Sequence, residues 1–204
     1  EGIATVTYVP VLPYETFRHR FLSTVNSSDC DLVYFSQVFF NSGYLVFDLA
    51  DFVKKIQDEK KHIVIDGYHA FMAIPTDLSN LQERVFYTAG AYKYAQSGEG
   101  ACFLHVPEKY HKLLRPVFTG WLADYSGLTN QSSEVNYNAS AELFAGATFD
   151  PSGIYRFKSV LTLFKKEKLT VKKIDEYVKK LQLEFFNNLV KLPDDFPINV
   201  HNLL

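Results

Sequence analysis

Cysteine is scarce in this chain of 204 residues: two are present, Cys30 and Cys102, each flanked by strand-like segments. Two isolated thiols make neither a disulfide framework nor a metal-ligand spacing, and they are expected to be reduced and half-buried, as in a cytoplasmic protein. The six histidines never pair at i, i+4, so no metal site is expected. An excess of one charge is also missing. The formal net charge is -2 and no Lys/Arg block or stripe occurs, which leaves nucleic-acid binding without its usual electrostatic basis. No apolar run approaches the roughly 20 residues that cross a bilayer, and the opening residues lack a signal-peptide pattern, so no membrane partner is expected. A glycine-rich strand-to-helix turn of the G-x-G-x-x-G type is absent, which argues against a dinucleotide-binding domain. Internal repeats and low-complexity tracts are missing as well.

What is there suits one sizeable core, with 47% hydrophobic, 16% aromatic and 22% charged residues. Ile3 to Val9 is β-branched and closes on Pro10, a strand pattern, and Tyr14 to Val25 carries apolar residues at helical spacing. Asp31 to Phe40 is a second strand before the turn residues Asn41, Ser42 and Gly43. A helix capped by Asp48 is expected to run to about Lys60. The short apolar run His62 to Asp66 suits a parallel strand covered on both faces. Arg84 to Ala89 and Ala101 to Val106 complete the strands, and long helices follow from Ile154 to Lys166 and from a Thr170 cap to Leu189. The lysines of those helices alternate with apolar positions, as on a solvated helix face. The fold class is therefore α/β, a mainly parallel sheet with flanking helices, followed by long helices. The start at Glu1-Gly2 without a methionine, and the stop soon after a proline-rich turn, suggest cuts through a larger fold.

Ligands of open parallel sheets bind beyond the carboxyl ends of the strands, and Asp66 stands at such an end. A strand-ending Asp-Gly is commonly just a turn. Lys93 follows the next strand, within Gly90-Ala91-Tyr92-Lys93-Tyr94, a locally apolar stretch. Burial there favours the neutral, nucleophilic amine, although a lysine whose head reaches back to water fits the same stretch. Together the two residues supply what pyridoxal 5'-phosphate demands: an amine for a Schiff base, and a carboxylate that keeps the pyridine nitrogen protonated.

The segments Ile65 to Ala70, Pro75 to Leu78, Gly90 to Tyr94, Arg115 to Trp121 and Phe144 to Phe157 resemble, in that order, the class V aminotransferase family of fold-type I enzymes, kynureninase and its relatives in particular. The resemblance covers most of residues 31–160. It implies that Lys93 carries the cofactor as a Schiff base, that Asp66 faces the pyridine nitrogen and that His69 lies close by. It implies that Tyr92 and Trp121 reach the phosphate side, and that Thr148 reaches across to the neighbouring subunit's phosphate in a homodimer. Histidine, tryptophan and threonine at such positions also serve as ordinary core or turn residues. Ser36 stands where it could line the crevice.

Two departures from the family pattern are visible. Relatives often carry Ser/Thr-His-Val after the second strand, where this chain has Ser36-Gln37-Val38. The phosphate loop and ring-stacking aromatic lie upstream in that family, and the substrate-carboxylate arginine downstream. The resemblance thus implies that residues 1–150 are the second half of a cofactor-binding large domain, and that 151–204 begin a small C-terminal domain. The expected substrate is an amino acid, changed by transamination, carbon–carbon hydrolysis or epimerisation, with desulfuration less favoured. This chain alone is expected to be inactive. The alternative is a non-catalytic α/β structural or interaction module.

Overall fold

The computed structural model describes residues 4–129, 135–146 and 148–191. Helix α1 (Tyr14–Ser27) precedes strand β1 (Leu32–Ser36), helix α2 (Leu49–Lys54), and strands β2 (His62–Asp66), β3 (Val85–Gly90) and β4 (Cys102–His105). Three short 3-10 segments follow, at Glu108–His111, Trp121–Thr129 and Ala141–Phe144, before helices α3 (Ser152–Lys166) and α4 (Val171–Leu189). The sheet has the order β1-β2-β3-β4. Its first two ladders are parallel and the third is antiparallel. Parallel pairing needs a long crossover, which α2 and the turns of residues 67–84 provide. The shorter return through residues 91–101 brings β4 back antiparallel.

Alternation divides the sheet into two unlike faces. Val33, Phe35, Ile63, Ile65, Val85 and Tyr87 point into a core shared with Phe17, Phe21 and Val25 of α1 and with Phe52 and Val53 of α2. Phe35 and Phe52 meet edge to face with ring centroids 5.0 Å apart, near the favoured aromatic spacing. The opposite face is covered only in part. Phe86 and Val64 pack against Val106, Tyr110, Leu114 and Phe144, whereas Leu32, Tyr34 and Leu104 are exposed. The double cover expected for β2 is thus complete on one side only.

Asp48 caps α2 as expected, its side chain accepting the Asp51 N–H at 3.1 Å. The helix ends at Lys54, short of the expected Lys60. Asn26 of α1 is the reason: its amide donates to the Lys55 carbonyl at 2.9 Å and accepts from the Gln57 N–H at 3.1 Å, taking backbone groups that a continuing helix would use. Residues 4–9 form no strand, and Val6 and Tyr8 are exposed. β-branched residues favour extended backbone, but a strand also requires a neighbour to pair with, and no described strand ladders with this segment. Ile3 lies outside the described residues. Cys30 is half-buried, beside the buried Lys61 ammonium that donates to the Ser28 and Cys30 carbonyls. Cys102 is exposed rather than half-buried, because it sits on edge strand β4. No described helix is long and apolar enough to cross a membrane.

Candidate active site

The carboxyl ends of β1 and β2 lie side by side, with Ser36 in register with Asp66. Because Ile63 and Ile65 face the core, alternation turns Asp66 to the open face. There its Oδ2 accepts from the Tyr34 hydroxyl at 3.0 Å and from Ser36 at 3.4 Å, and its Oδ1 accepts the Tyr68 N–H at 2.9 Å. Three donors fix the carboxylate. Partial desolvation of its hydroxyl, and then the bond to Asp66, push the Tyr34 phenol above its usual value although the side chain as a whole is exposed.

The chain turns sharply after Asp66. The N–H groups of Ala70 and Phe71 both bond the Gly67 carbonyl, and this turn seats His69. Gly67 has to be glycine, since a Cβ there would run into the Tyr87 phenol. On the next strand end, Ser97 ties the lysine loop closed by donating from both its backbone N–H and its hydroxyl to the Ala91 carbonyl. Arg156 of α3 braces the same loop, donating to the Ser97 carbonyl at 2.9 Å and to that of Glu99.

Lys93 and His69 meet at the centre of the group. The Lys93 Nζ is 2.8 Å from His69 Nε2 and 3.2 Å from Nδ1. It also lies 5.8 Å from the ring centre of Tyr68 and 5.6 Å from that of Tyr92, within cation–π range. The ring of Phe40 stacks on His69 with centroids 6.1 Å apart. Burial, and next the Lys93 cation, hold the His69 imidazole below its ordinary value, while Asp66 opposes them. Tyr68 is pushed up to about 12, chiefly by its hydrogen bond with Cys102 and then by burial.

Of the residues singled out in the sequence, Asp66, His69, Tyr92 and Lys93 converge on this group, with Ser36 at its edge. Trp121 and Thr148 form a separate pair, the indole Nε1 donating to the Thr148 hydroxyl at 3.1 Å. Gln37 does not face the site. It is buried, accepting from the Tyr87 hydroxyl at 3.0 Å and donating to Thr76 at 2.9 Å. Tyr34, Phe40, Tyr68 and Cys102 join the group without having been singled out. Tyr34 shares the parity of Ser36 on β1, and that signal alone could have placed it beside Asp66. Two clefts, of about 760 and 560 Å³, lie elsewhere, against α1 and α2 and near the amino ends of β2 and β3.

Residues 1–196 match the family model described as Aminotransferase class-V. The chain belongs to the class-V aminotransferase family. Among solved structures, this class-V chain is similar to the apo structure of a cysteine desulfurase from Thermococcus onnurineus NA1, with a TM-score of 0.69 and 15% identity over 91% of this chain and 44% of that one. It is also similar to a NifS-like protein from Rickettsia africae ESF-5, with a TM-score of 0.59 and 18% identity over 87% of this chain and 43% of that one. These likenesses place the fold among fold-type I enzymes, and the chain spans less than half the length of either neighbour. Neither is named a kynureninase, so that finer resemblance rests on sequence motifs alone. No curated protein matched the chain.

Proposed function

We propose that this class-V chain carries the covalent half of a pyridoxal 5'-phosphate site, with Lys93 bonding the cofactor and Asp66 facing the pyridine nitrogen. The observation that carries the reading is the placement of this amine and this carboxylate after adjacent parallel strands, where such sheets bind ligands. The donor set fits the cofactor. Asp66 is an acceptor held in place by Tyr34, Ser36 and Tyr68, and the Lys93 amine is half-buried among aromatic rings. Pyridoxal phosphate, when bound, supplies an electron sink for negative charge developing on an amino-acid substrate. Asp66 then keeps a proton on the ring nitrogen. Lys93, when free, is a base that can take up a proton at Nζ. His69 and Tyr92 line the same group, and Trp121 and Thr148 are assigned to the phosphate side.

The whole protein, on this reading, is a homodimeric cytoplasmic enzyme that acts on an amino acid, by transamination or by a carbon–carbon hydrolysis of the kynureninase kind. The chain itself is expected to be inactive alone. A second reading, an α/β module without catalysis, draws on one observation: the Trp121 indole N–H is taken up by Thr148.

Borohydride reduction after incubation with pyridoxal phosphate separates the two. The enzyme reading expects a yellow complex and a reduced adduct on the peptide containing Lys93, both absent from Lys93→Ala. A colourless full-length protein with Lys93 unmodified would establish the module instead.

A further inference from the structure

An aspartate that closes a strand before glycine is anchored by its own turn, and Asp66 follows the rule: Oδ1 accepts the Tyr68 N–H, two residues on, at 2.9 Å. That bond is local, and any aspartate in this turn can make it. The other oxygen is held from a different strand. Tyr34 and Ser36 share a face of β1, and the parallel register sets Ser36 directly beside Asp66 and Tyr34 beside Val64, two residues short of it. The phenol spans that diagonal and donates to Oδ2 at 3.0 Å, while the Ser36 hydroxyl donates at the longer 3.4 Å. We propose that Tyr34 is the positioning residue for Asp66, its hydroxyl holding Oδ2 so that Oδ1 is the oxygen presented to the ring N–H of the cofactor.

The acceptor sites of the carboxylate decide which oxygen is available. An ionised carboxylate offers about four of them, shared equally by its two oxygens. Oδ2 accepts from both Tyr34 and Ser36, whereas Oδ1 accepts, among the described residues, from the Tyr68 N–H alone. A further donor is therefore met by Oδ1. Without the phenol the carboxylate keeps its turn bond, but it is freer to rotate about Cβ–Cγ, a torsion with a broad range. Packing does not account for Tyr34. The residue is 56% exposed on the partly covered sheet face, so its ring gains little from burial and the bond to Asp66 is what distinguishes it. Desolvation of the hydroxyl, then the Asp66 bond and the Asp66 charge, hold the phenol above its usual value, so it remains a donor throughout the neutral range.

The assignment rests on the reading of Asp66 as the partner of the pyridine nitrogen, so its test separates the two. The full-length protein and its Tyr34→Phe variant are loaded with pyridoxal phosphate, or with the analogue whose ring nitrogen is replaced by carbon. Retention is measured by dialysis, and borohydride trapping places each ligand on Lys93. The analogue has no ring N–H, so the aim of Oδ1 does not matter to it. Tyr34→Phe is expected to weaken retention of pyridoxal phosphate about fivefold, the scale of one lost hydrogen bond, and to leave retention of the analogue unchanged. Equal weakening of both would mean that Tyr34 supports the fold and not the aim of Asp66, and overturns the assignment, as does no weakening of either. A wild type that retains neither ligand on Lys93 removes the cofactor reading, and the assignment with it. The pair itself is read without cofactor, by NMR titration of the Tyr34 phenol in the alkaline range. Asp66→Asn is expected to lower its midpoint, and an unchanged midpoint would show that the hydroxyl does not bond the carboxylate.

Discussion

At the scale of single residues, Tyr87 links the core to the candidate site. Its ring fills the space over Gly67, the first residue of the turn that presents His69, and its hydroxyl donates to the buried Gln37. Burial pushes this phenol up to about 12. The folded-state value lies above the ordinary one of about 10, so the stability this group contributes is complete below pH 10 and is lost as pH rises toward 12. Tyr87→Phe should cost about 1–3 kcal/mol at neutral pH, because the Gln37 carbonyl oxygen is left buried without its donor. It should also flatten the alkaline limb of the stability curve, as measured by urea unfolding from pH 8 to 11. Asp66 and Lys93 were legible in the sequence because each stands just past an apolar run, where its chemistry is out of place. Tyr34 and Tyr68 were not, since an aromatic residue on or beside a strand is the ordinary composition of a sheet and signals nothing until register sets it beside a carboxylate.

At the scale of elements, the ends of α3 and α4 at Lys166 and Leu189 were legible, and the end of α2 was not. Asp48 announces α2 because its side chain acts on a backbone N–H three residues away. The stop after Lys54 is imposed by Asn26, 29 residues earlier in the chain, and no local pattern encodes it. Asp48→Ala is expected to lower stability by about 1 kcal/mol through the lost cap bond. A further cost comes from alanine at φ 48, a left-handed conformation that aspartate tolerates better. The midpoint of urea unfolding reports both, and Asp48→Gly should recover much of the loss. Residues 4–9 mark the opposite limit: their composition favours extended backbone, but pairing is a property of two segments. The antiparallel course of β4 likewise depends on the length of a connection rather than on anything within Cys102–His105.

At the scale of the whole molecule, apolar surface is left without cover. Leu32, Tyr34 and Leu104 on one sheet face, and Leu161, Leu163, Val178, Leu181 and Phe185 on the terminal helices, are all exposed. The amphipathic spacing of those helices was readable in the sequence. Which surface receives their apolar stripe was not, because amphipathicity names a face and not its partner. The chain in isolation is expected to bind an environment-sensitive apolar dye while keeping its helical circular dichroism, and Leu181→Glu with Phe185→Glu should reduce that fluorescence. Undiminished dye binding in the double variant would locate the sticky surface on the sheet instead. The bond from Arg156 to the lysine loop has a mechanical consequence. Helix α3 is a rod about 22 Å long, by its 15 residues, with Arg156 near one end. It is a lever arm whose short end grips the Ser97 carbonyl, four residues from Lys93. A load that tilts its far end would reach, through Arg156, the loop that carries Lys93.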